Sequence, residues 1–380
     1  MDLCYFDHNS TTPLSDAGRE AWLEASDDHW LNPSSPYRKA AAVKVRLEAA
    51  RESLADCFDV SKERIVFTSG ATEANNSVIR SWEHAGMKGK VGINPTEHPS
   101  VLEAANYLLG DRVQWLPLQS DGRVDLEAFE ASVRSGEISA VSVMAANNET
   151  GVIQPWEAIA ELCHEIDIPY HCDASQWVGR MSVRGLNACS YVTACAHKFG
   201  GPKGVGFMLV PEIDAAFSIL RGGAQELDYR AGTEDVPGVL SMVAALQASA
   251  LGSSDLRDVF VDRIRSEIEG VEIVGEAAPR LWNTIALLMP RHPSVRWVRA
   301  LEKAGFLVGA GAACSTGKST ASSVLRAMGV EAEIAGRLVR VSSGATTSAS
   351  DWANLADAFI QVYQQLESFN DSPGKVISID

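Results

Sequence analysis

The chain has 380 residues, 46% of them hydrophobic, with 33 Lys and Arg against 49 Asp and Glu, a formal net charge of -16. That length suits two domains or one large α/β domain around a sizeable core, and the acidic balance repels a phosphate backbone, excluding nonspecific nucleic-acid binding. No run approaches the about 20 apolar residues that cross a bilayer, MDLCYFDHNSTTP has neither a basic start nor an apolar run, and the seven cysteines form no C-x-x-C pair, so a cytoplasmic protein with reduced thiols, no membrane segment and no metal site is expected.

From Arg38 to Phe58, Ala42, Val45, Ala49 and Leu54 recur every three to five residues, which predicts an amphipathic helix. IVFT at 65–68 follows as a short buried strand, and similar runs recur as VGIN from 91, VQWL from 113, AVSVM from 140, IPYHC from 168, SYVTAC from 190 and VGFMLV from 205. Helix-length segments, TEANNSVIRSWEHAG from 72 and PWEAIAELCHEI from 155, separate several of them. Strands alternating with helices predict a mainly parallel sheet covered on both faces. After Val239 the pattern changes: two helical stretches over 239–269, broken by GSSD at 252–255, precede a smaller mixed region with strands near TIALLM from 284, FLVG from 306 and LVRVS from 338. A boundary is expected near Leu251, giving a large domain over 16–251 and a small domain made of 1–15 and 252–380. The tail from Ser368 is polar and dispensable to either.

HCDASQWVGR from 171 and ACAHKFGGPKG from 194 place an Asp and a Lys at the ends of successive strands, where open parallel sheets bind ligands. A desolvated Lys198 can form a Schiff base with an aldehyde such as pyridoxal phosphate (PLP), and Asp173 can hold the nitrogen of such a ring. Taken alone, Lys198 suits a snorkelling strand-end lysine and Asp173 a helix N-cap equally well. Three further loops follow strands: TSGATEANN from 68, an anion site at a helix start around Thr72; TEHPSV from 96, where His98 could stack on a planar group; and NNETG from 147, where Asn148 is a neutral donor.

Eleven motifs then occur in one order: YFDHNSTTP, NPSSP, TSGATEANN, TEHPSV, NNETGVIQP, HCDASQ, AHKFGGPKG, GGAQELDYRAGTEDVPG, AACS, SSVLRAMG and VRVSSGA. In these the chain resembles, nearly end to end, the cysteine desulfurase branch of the class V aminotransferases, fold-type I PLP enzymes. The resemblance implies a large domain with a mainly parallel seven-stranded sheet and a smaller α+β C-terminal domain. It implies that Lys198 carries PLP, Asp173 pairs with its ring nitrogen, His98 stacks on the ring and Gln176 meets its phenolic oxygen. Ala71, Thr72, Cys195 and His197 would surround the phosphate, Asn148 would serve cofactor and substrate, and Thr233 would reach the phosphate of a neighbouring subunit in a homodimer. Asn148 and Arg340 would hold the carboxylate of L-cysteine, and Cys314 would be the nucleophile that becomes a persulfide before an acceptor, an iron-sulfur scaffold or a thiolation protein, takes the sulfur. Gly309, Gly311, Ser315, Thr316 and Gly317 read as small residues suited to a mobile loop around it.

Four departures accompany the resemblance: Cys195 stands where the family commonly has Ser, NPSSPYRKA lacks the usual His and Gly, Ala345 replaces a frequent second Arg, and STGKSTASS after Cys314 lacks the acidic and proline residues of relatives, so the resemblance implies nothing about which partner is recognised. Within the family, selenocysteine lysis, cysteine sulfinate desulfination, transamination and epimerisation compete with sulfur transfer, which Cys314 favours. A P-loop reading of GAGAACSTGKST fails by register, since five residues lie between Gly311 and Gly317 where the motif needs four.

Overall fold

The computed structural model describes residues 3–212, 218–311 and 321–370. Its strands in chain order are β1 (Cys4–Phe6), β2 (Ile65–Thr68), β3 (Lys90–Ile93), β4 (Val113–Trp115), β5 (Ile138–Ser142), β6 (Tyr170–Asp173), β7 (Tyr191–Cys195), β8 (Gly206–Leu209), β9 (Glu272–Ile273), β10 (Thr284–Leu288), β11 (Phe306–Ala310) and β12 (Leu338–Ser342). Strands β2 to β8 form one seven-stranded sheet in the order β2-β8-β7-β6-β5-β3-β4. All seven segments were predicted as strands. Only β8 runs against its neighbours, because the chain enters it from β7 through a short turn with no crossover helix to restore the direction.

Side chains alternate across this sheet, apart from an irregularity where β5 pairs with β3 near Ile138. Val66, Val91, Ile93, Tyr191 and Met208 pack under the helices Ala71–His84 and Pro99–Leu109. Ile65, Phe67, Val141, Val192, Phe207 and Leu209 pack on the other face against Arg38–Phe58, Leu126–Arg134, Trp156–Glu165 and Val236–Gln247. Both faces are covered, so β2, β6, β7 and β8 read as unbroken buried runs.

The Arg38–Phe58 helix has the predicted bounds but a different buried stripe. Ala40, Val43, Leu47, Ala50 and Leu54 face the core, while Ala42, Val45 and Ala49 are exposed. Two apolar stripes interleave in this sequence, and the one carrying Leu47 buries more surface. The helix stops at Asp59, which adopts the left-handed conformation (φ 53°) and turns its N–H back to Ala55 and Asp56.

A second sheet, β1-β11-β12-β10-β9, gathers the chain's two ends. Strand β1 lies parallel to β11, and β9 to β12 pair antiparallel. Phe6, Phe260, Ile264, Trp297, Leu301, Val341 and Phe359 form its core with the helices Asp255–Glu267, Ser294–Lys303 and Ala349–Asn370. From β1 the segment Asp7–Thr12 crosses to the large sheet, where the Thr12 N–H and hydroxyl both donate to the His197 carbonyl.

Candidate active site

Strand β6 delivers Asp173, 7% exposed, to the carboxyl edge of the sheet. Its Oδ1 accepts the Ser175 N–H at 2.9 Å and its Oδ2 accepts from Asn75 Nδ2 at 2.7 Å. One oxygen thus performs the turn-capping role that the sequence allowed, and the other meets a buried partner on the Ala71–His84 helix. Strand β7, next to β6, runs into the single turn Ala196–Lys198, so Lys198 emerges one strand away. Its Nζ donates to the carbonyls of Asn9 at 2.6 Å and Ser10 at 2.7 Å.

His98 caps the Pro99–Leu109 helix. The Ser100 N–H points at its Nδ1 at 3.1 Å, with the Ser100 hydroxyl at 2.8 Å. A backbone donor aimed at Nδ1 requires that nitrogen to be bare, so the ring hydrogen sits on Nε2. Burial lowers the pKa of His98; Asp173 opposes the shift and the Lys198 charge adds to it, so the imidazole is neutral at pH 7. Its neighbour Glu97, fully buried, is pushed well above the carboxylate range, first by burial and then by the Asp173 charge.

Gln176 donates from Nε2 to the Asn9 carbonyl at 3.0 Å, and its Oε1 accepts from Arg180 Nη1. Arg180, itself buried, also donates to the carbonyls of His8 at 2.9 Å and Lys198 at 3.2 Å. Burial lowers its pKa to about 10, which leaves it charged at neutral pH beneath the Lys198 turn. His197 is lowered to about 4 by burial and then by the charges of Lys198, Lys203 and Arg180, and its Nδ1 lies 3.1 Å from Thr11 Oγ1.

Ala71 and Thr72 open the Ala71–His84 helix after Gly70, whose φ of 143° suits glycine. Gly206 lets this turn approach: a Cβ there would lie 2.7 Å from Gly70 Cα. Cys195 is buried alongside, and burial pushes its thiol up to about 11 despite the nearby Lys198 charge and Ala71 N–H. It is a neutral thiol, not a nucleophile.

Arg340, 3% exposed on β12, donates Nη1 to the Asn148 carbonyl at 2.9 Å and Nη2 to Asp7 Oδ1 at 2.6 Å. Its buried Nε has no acceptor among the described residues. The bonds of Asn148 run through its carbonyl, which also accepts from Asn9 Nδ2 at 3.1 Å. Asn9 therefore joins the Lys198 side of the site to the Arg340 side.

Next to Arg340, the Glu149 carboxyl accepts the Ser322 hydroxyl at 2.5 Å, and burial raises it to about 7 against the pull of that bond and of Arg340. Gly309 and Gly311 prove to be spacers. A Cβ at 309 would stand 2.6 Å from Asp7 Oδ1, and one at 311 would stand 2.5 Å from Leu338 Cδ2.

The structure thus brings Lys198, Asp173, His98, Gln176, His197, Cys195, Ala71 and Thr72 to one edge of the large sheet, with Asn148 and Arg340 joined to them through Asn9. Thr233 is exposed on the segment before Val236–Gln247 and makes none of the bonds above. Cys314 lies outside the described residues, as do Ser315, Thr316 and Gly317. Sequence reasoning missed Asn9, Asn75, Glu97, Ser100, Glu149 and Arg180. Several sit inside motifs already quoted; only Asn75 and Ser100 lie on helices, and the rest are turn and loop residues whose partners stand on other elements. No cluster of three or more His, Cys, Asp or Glu suited to a metal occurs among the described residues.

A family model for class-V aminotransferases matches residues 4–355. A cysteine desulfurase of Cereibacter sphaeroides is 33% identical over 381 residues, covering 97% of this chain and 98% of the relative. The cysteine desulfurase IscS of Dictyoglomus turgidum is 32% identical, covering 96% of each. Among solved structures, a NifS-like protein superposes with a TM-score of 0.85 at 29% identity, over 97% of this chain and all of that one. The protein SspA, solved in complex with cysteine, superposes with a TM-score of 0.79 at 26% identity, over 90% of this chain and 99% of that one.

Proposed function

The chain belongs to the class V aminotransferases, and on that premise we infer that it is a PLP-dependent cysteine desulfurase, which takes sulfur from L-cysteine to leave L-alanine. The observation that carries this reading is the meeting of Lys198, Asp173 and His98 at one strand edge, linked through Asn9 and Asn148 to a buried arginine. The residues fit the cofactor in kind. An amine suits its aldehyde, a carboxylate its ring nitrogen, an imidazole its ring face and a helix start its phosphate. The buried Ser175 hydroxyl, beside the Cys195 thiol, marks further polar capacity at the same edge.

When bound, PLP supplies the electron sink that makes the Cα proton of an amino acid labile. Lys198 would hold the cofactor and move that proton, Asp173 would keep the ring nitrogen protonated, His98 would cover the ring, and Gln176 would donate to the phenolic oxygen. Ala71, Thr72, His197 and the neutral Cys195 would enclose the phosphate, and the partner's Thr233 would complete it in a homodimer. Arg340, with its unused Nε, and Asn148 would orient the substrate carboxylate. Cys314 would attack the substrate sulfur: a sulfur–sulfur bond forms, the carbon–sulfur bond breaks towards carbon, and a proton completes alanine. An acceptor such as an iron-sulfur scaffold or a thiolation protein would then remove the sulfur. A division into a large domain over 16–251 and a small one over 1–15 and 252–380 accords with the two sheets, and the free cysteines accord with a reducing, cytoplasmic setting.

The test is stoichiometric. With L-cysteine and a reductant, purified protein should release alanine and sulfide in equal amounts. Lys198→Ala should lose the cofactor absorbance and both products, and Cys314→Ala should keep the absorbance and lose sulfide. A wild type that converts no cysteine, or a fully active Cys314→Ala, would refute the reading.

A further inference from the structure

Asp173 and His98 come from different elements, yet one side chain holds both. Asn75, fully buried on the inner face of the Ala71–His84 helix, donates from Nδ2 to Asp173 Oδ2 at 2.7 Å and to Ser100 Oγ at 2.9 Å. Its Oδ1 accepts the Thr193 hydroxyl at 2.5 Å. An amide turned the other way would set oxygen against the Asp173 carboxylate, so its orientation is fixed.

The donors then run in one direction. Ser100 Oγ, having accepted from Asn75, turns its own hydrogen to His98 Nδ1 at 2.8 Å. Thr193 Oγ1, having given its hydrogen to Asn75, can only accept from His171 Nε2 at 3.1 Å, and His171 Nδ1 accepts the Ser142 hydroxyl at 2.9 Å. Burial, against the opposing Asp173 charge, lowers His171 to about 4, so the deep end of the chain is neutral. No member of this network is left half-satisfied, which is the condition under which a buried polar chain rigidifies what it touches.

We propose that Asn75 is a positioning residue of the cofactor site: its two amide hydrogens set the aim of the Asp173 carboxylate and, through Ser100 Oγ, supply a second donor to the His98 Nδ1 that the Ser100 N–H already keeps bare, holding the ring in place. This rests on the assignment of Asp173 and His98 to PLP made above. It makes Asn75, which need touch neither cofactor nor substrate, the common support of two groups on different elements.

Asn75→Asp is the sharpest probe, because it keeps the shape and turns both donors into acceptors. The new carboxylate repels Asp173 and draws the Ser100 hydrogen away from His98. PLP affinity should fall about tenfold or more, since a charge-assisted bond is lost, and the pH titration of the bound cofactor's visible absorbance should shift by about one unit. In full-length protein labelled with 15N-histidine, the His98 Nδ1 signal should be that of an unprotonated nitrogen in wild type and should move in the variant. Ser100→Ala, which cuts only one arm, should move the His98 signal and leave PLP affinity within about twofold. Should Asn75→Asp fail to fold, Thr193→Val, which removes the bond anchoring the Asn75 amide oxygen, must reproduce the affinity loss in part. A protonated His98 Nδ1 in wild type, or a folded Asn75→Asp with unchanged affinity and unchanged absorbance titration, overturns the proposal. A wild type that binds no PLP overturns the site assignment as well, so the two failures are distinct.

Discussion

Gly309→Ala adds one carbon and should impair substrate binding without disturbing the cofactor. Gly309 pairs with Arg340 across β11 and β12, and a Cβ there would stand 2.6 Å from Asp7 Oδ1 and 2.9 Å from both Nε and Nη2 of Arg340. Gly309 is not among the positive-φ residues, so the strand backbone itself accepts alanine. Ordinary contact needs about 3.5 Å, so the arginine and the aspartate must each yield by roughly half an ångström or more. The 2.6 Å bond to Asp7 and the 2.9 Å bond to the Asn148 carbonyl cannot both survive that displacement. Misplacing one charge-assisted bond costs about 1.5–3 kcal/mol, a fall in kcat/KM of roughly 10- to 100-fold, carried mainly by KM. The assay is alanine formation against cysteine concentration, with PLP content and melting temperature measured on the same preparations. A wild-type KM in a fully loaded, stable variant would show that Arg340 does not hold the substrate carboxylate, and loss of PLP instead would move Arg340 to the cofactor.

Three further outcomes are expected. Burial raises the Glu149 carboxyl from its ordinary 4.5 to about 7, so the native state holds a proton that the unfolded chain has released between those values. Stability should therefore fall as pH rises from about 4.5 to 7, by on the order of 3 kcal/mol, and Glu149→Gln should flatten the melting temperature between pH 5 and 8; an equally steep profile in the variant would show that another group is responsible. Arg51 and Glu226 form a buried bidentate pair at 2.8 and 2.7 Å, and Glu226 also accepts the Phe67 N–H at 2.7 Å. Arg51→Leu strands that carboxylate and should cost about 3–5 kcal/mol in denaturant unfolding, whereas a loss below about 1 kcal/mol would mean that water reaches Glu226. Finally, Lys198→Ala and Thr233→Ala proteins, co-expressed, should regain activity in mixed dimers, since one composite site then holds both wild-type residues; no gain over either parent would refute the shared phosphate site.

The large sheet was legible because buried strands such as β2, β7 and β8 are near-continuous apolar runs, and helix-length segments separate several of the seven. Strand β1 was not, since CYF is three residues long and is stabilised by β11, about three hundred residues away. The buried stripe of Arg38–Phe58 was misread because Val45 and Leu47 belong to overlapping periodicities that only the packed neighbours separate. At the site, Lys198 and Asp173 declared themselves by standing at strand ends. Asn9 and Asn75 did not, because a buried amide among polar loop or helix residues has no distinctive spacing; its meaning lies in partners on other elements. The roles that the resemblance supplied for Asn148 and Arg340 were side-chain roles, yet the structure spends the Asn148 carbonyl on Arg340 itself.

Positions 309–311 sharpen what small residues signify. A run of glycine and alanine beside a reactive cysteine reads as freedom of movement, but at Gly309 and Gly311 the glycines answer a packing demand from Asp7, Arg340, Leu338 and Glu149. The described chain leaves β11 at Gly311 and resumes at Ala321, and Ser322 then binds the same Glu149 carboxyl that Gly311 skirts. Both approaches to the segment that contains Cys314 are therefore fixed against one group, and that group feels the charge of Arg340. A substrate carboxylate that draws Arg340 towards itself would weaken the pull that lowers Glu149, favouring its neutral form and with it a carboxyl that can donate as well as accept. On the role proposed for Arg340, substrate binding would therefore bear on the footing of Gly311 and Ser322 through the protonation of Glu149.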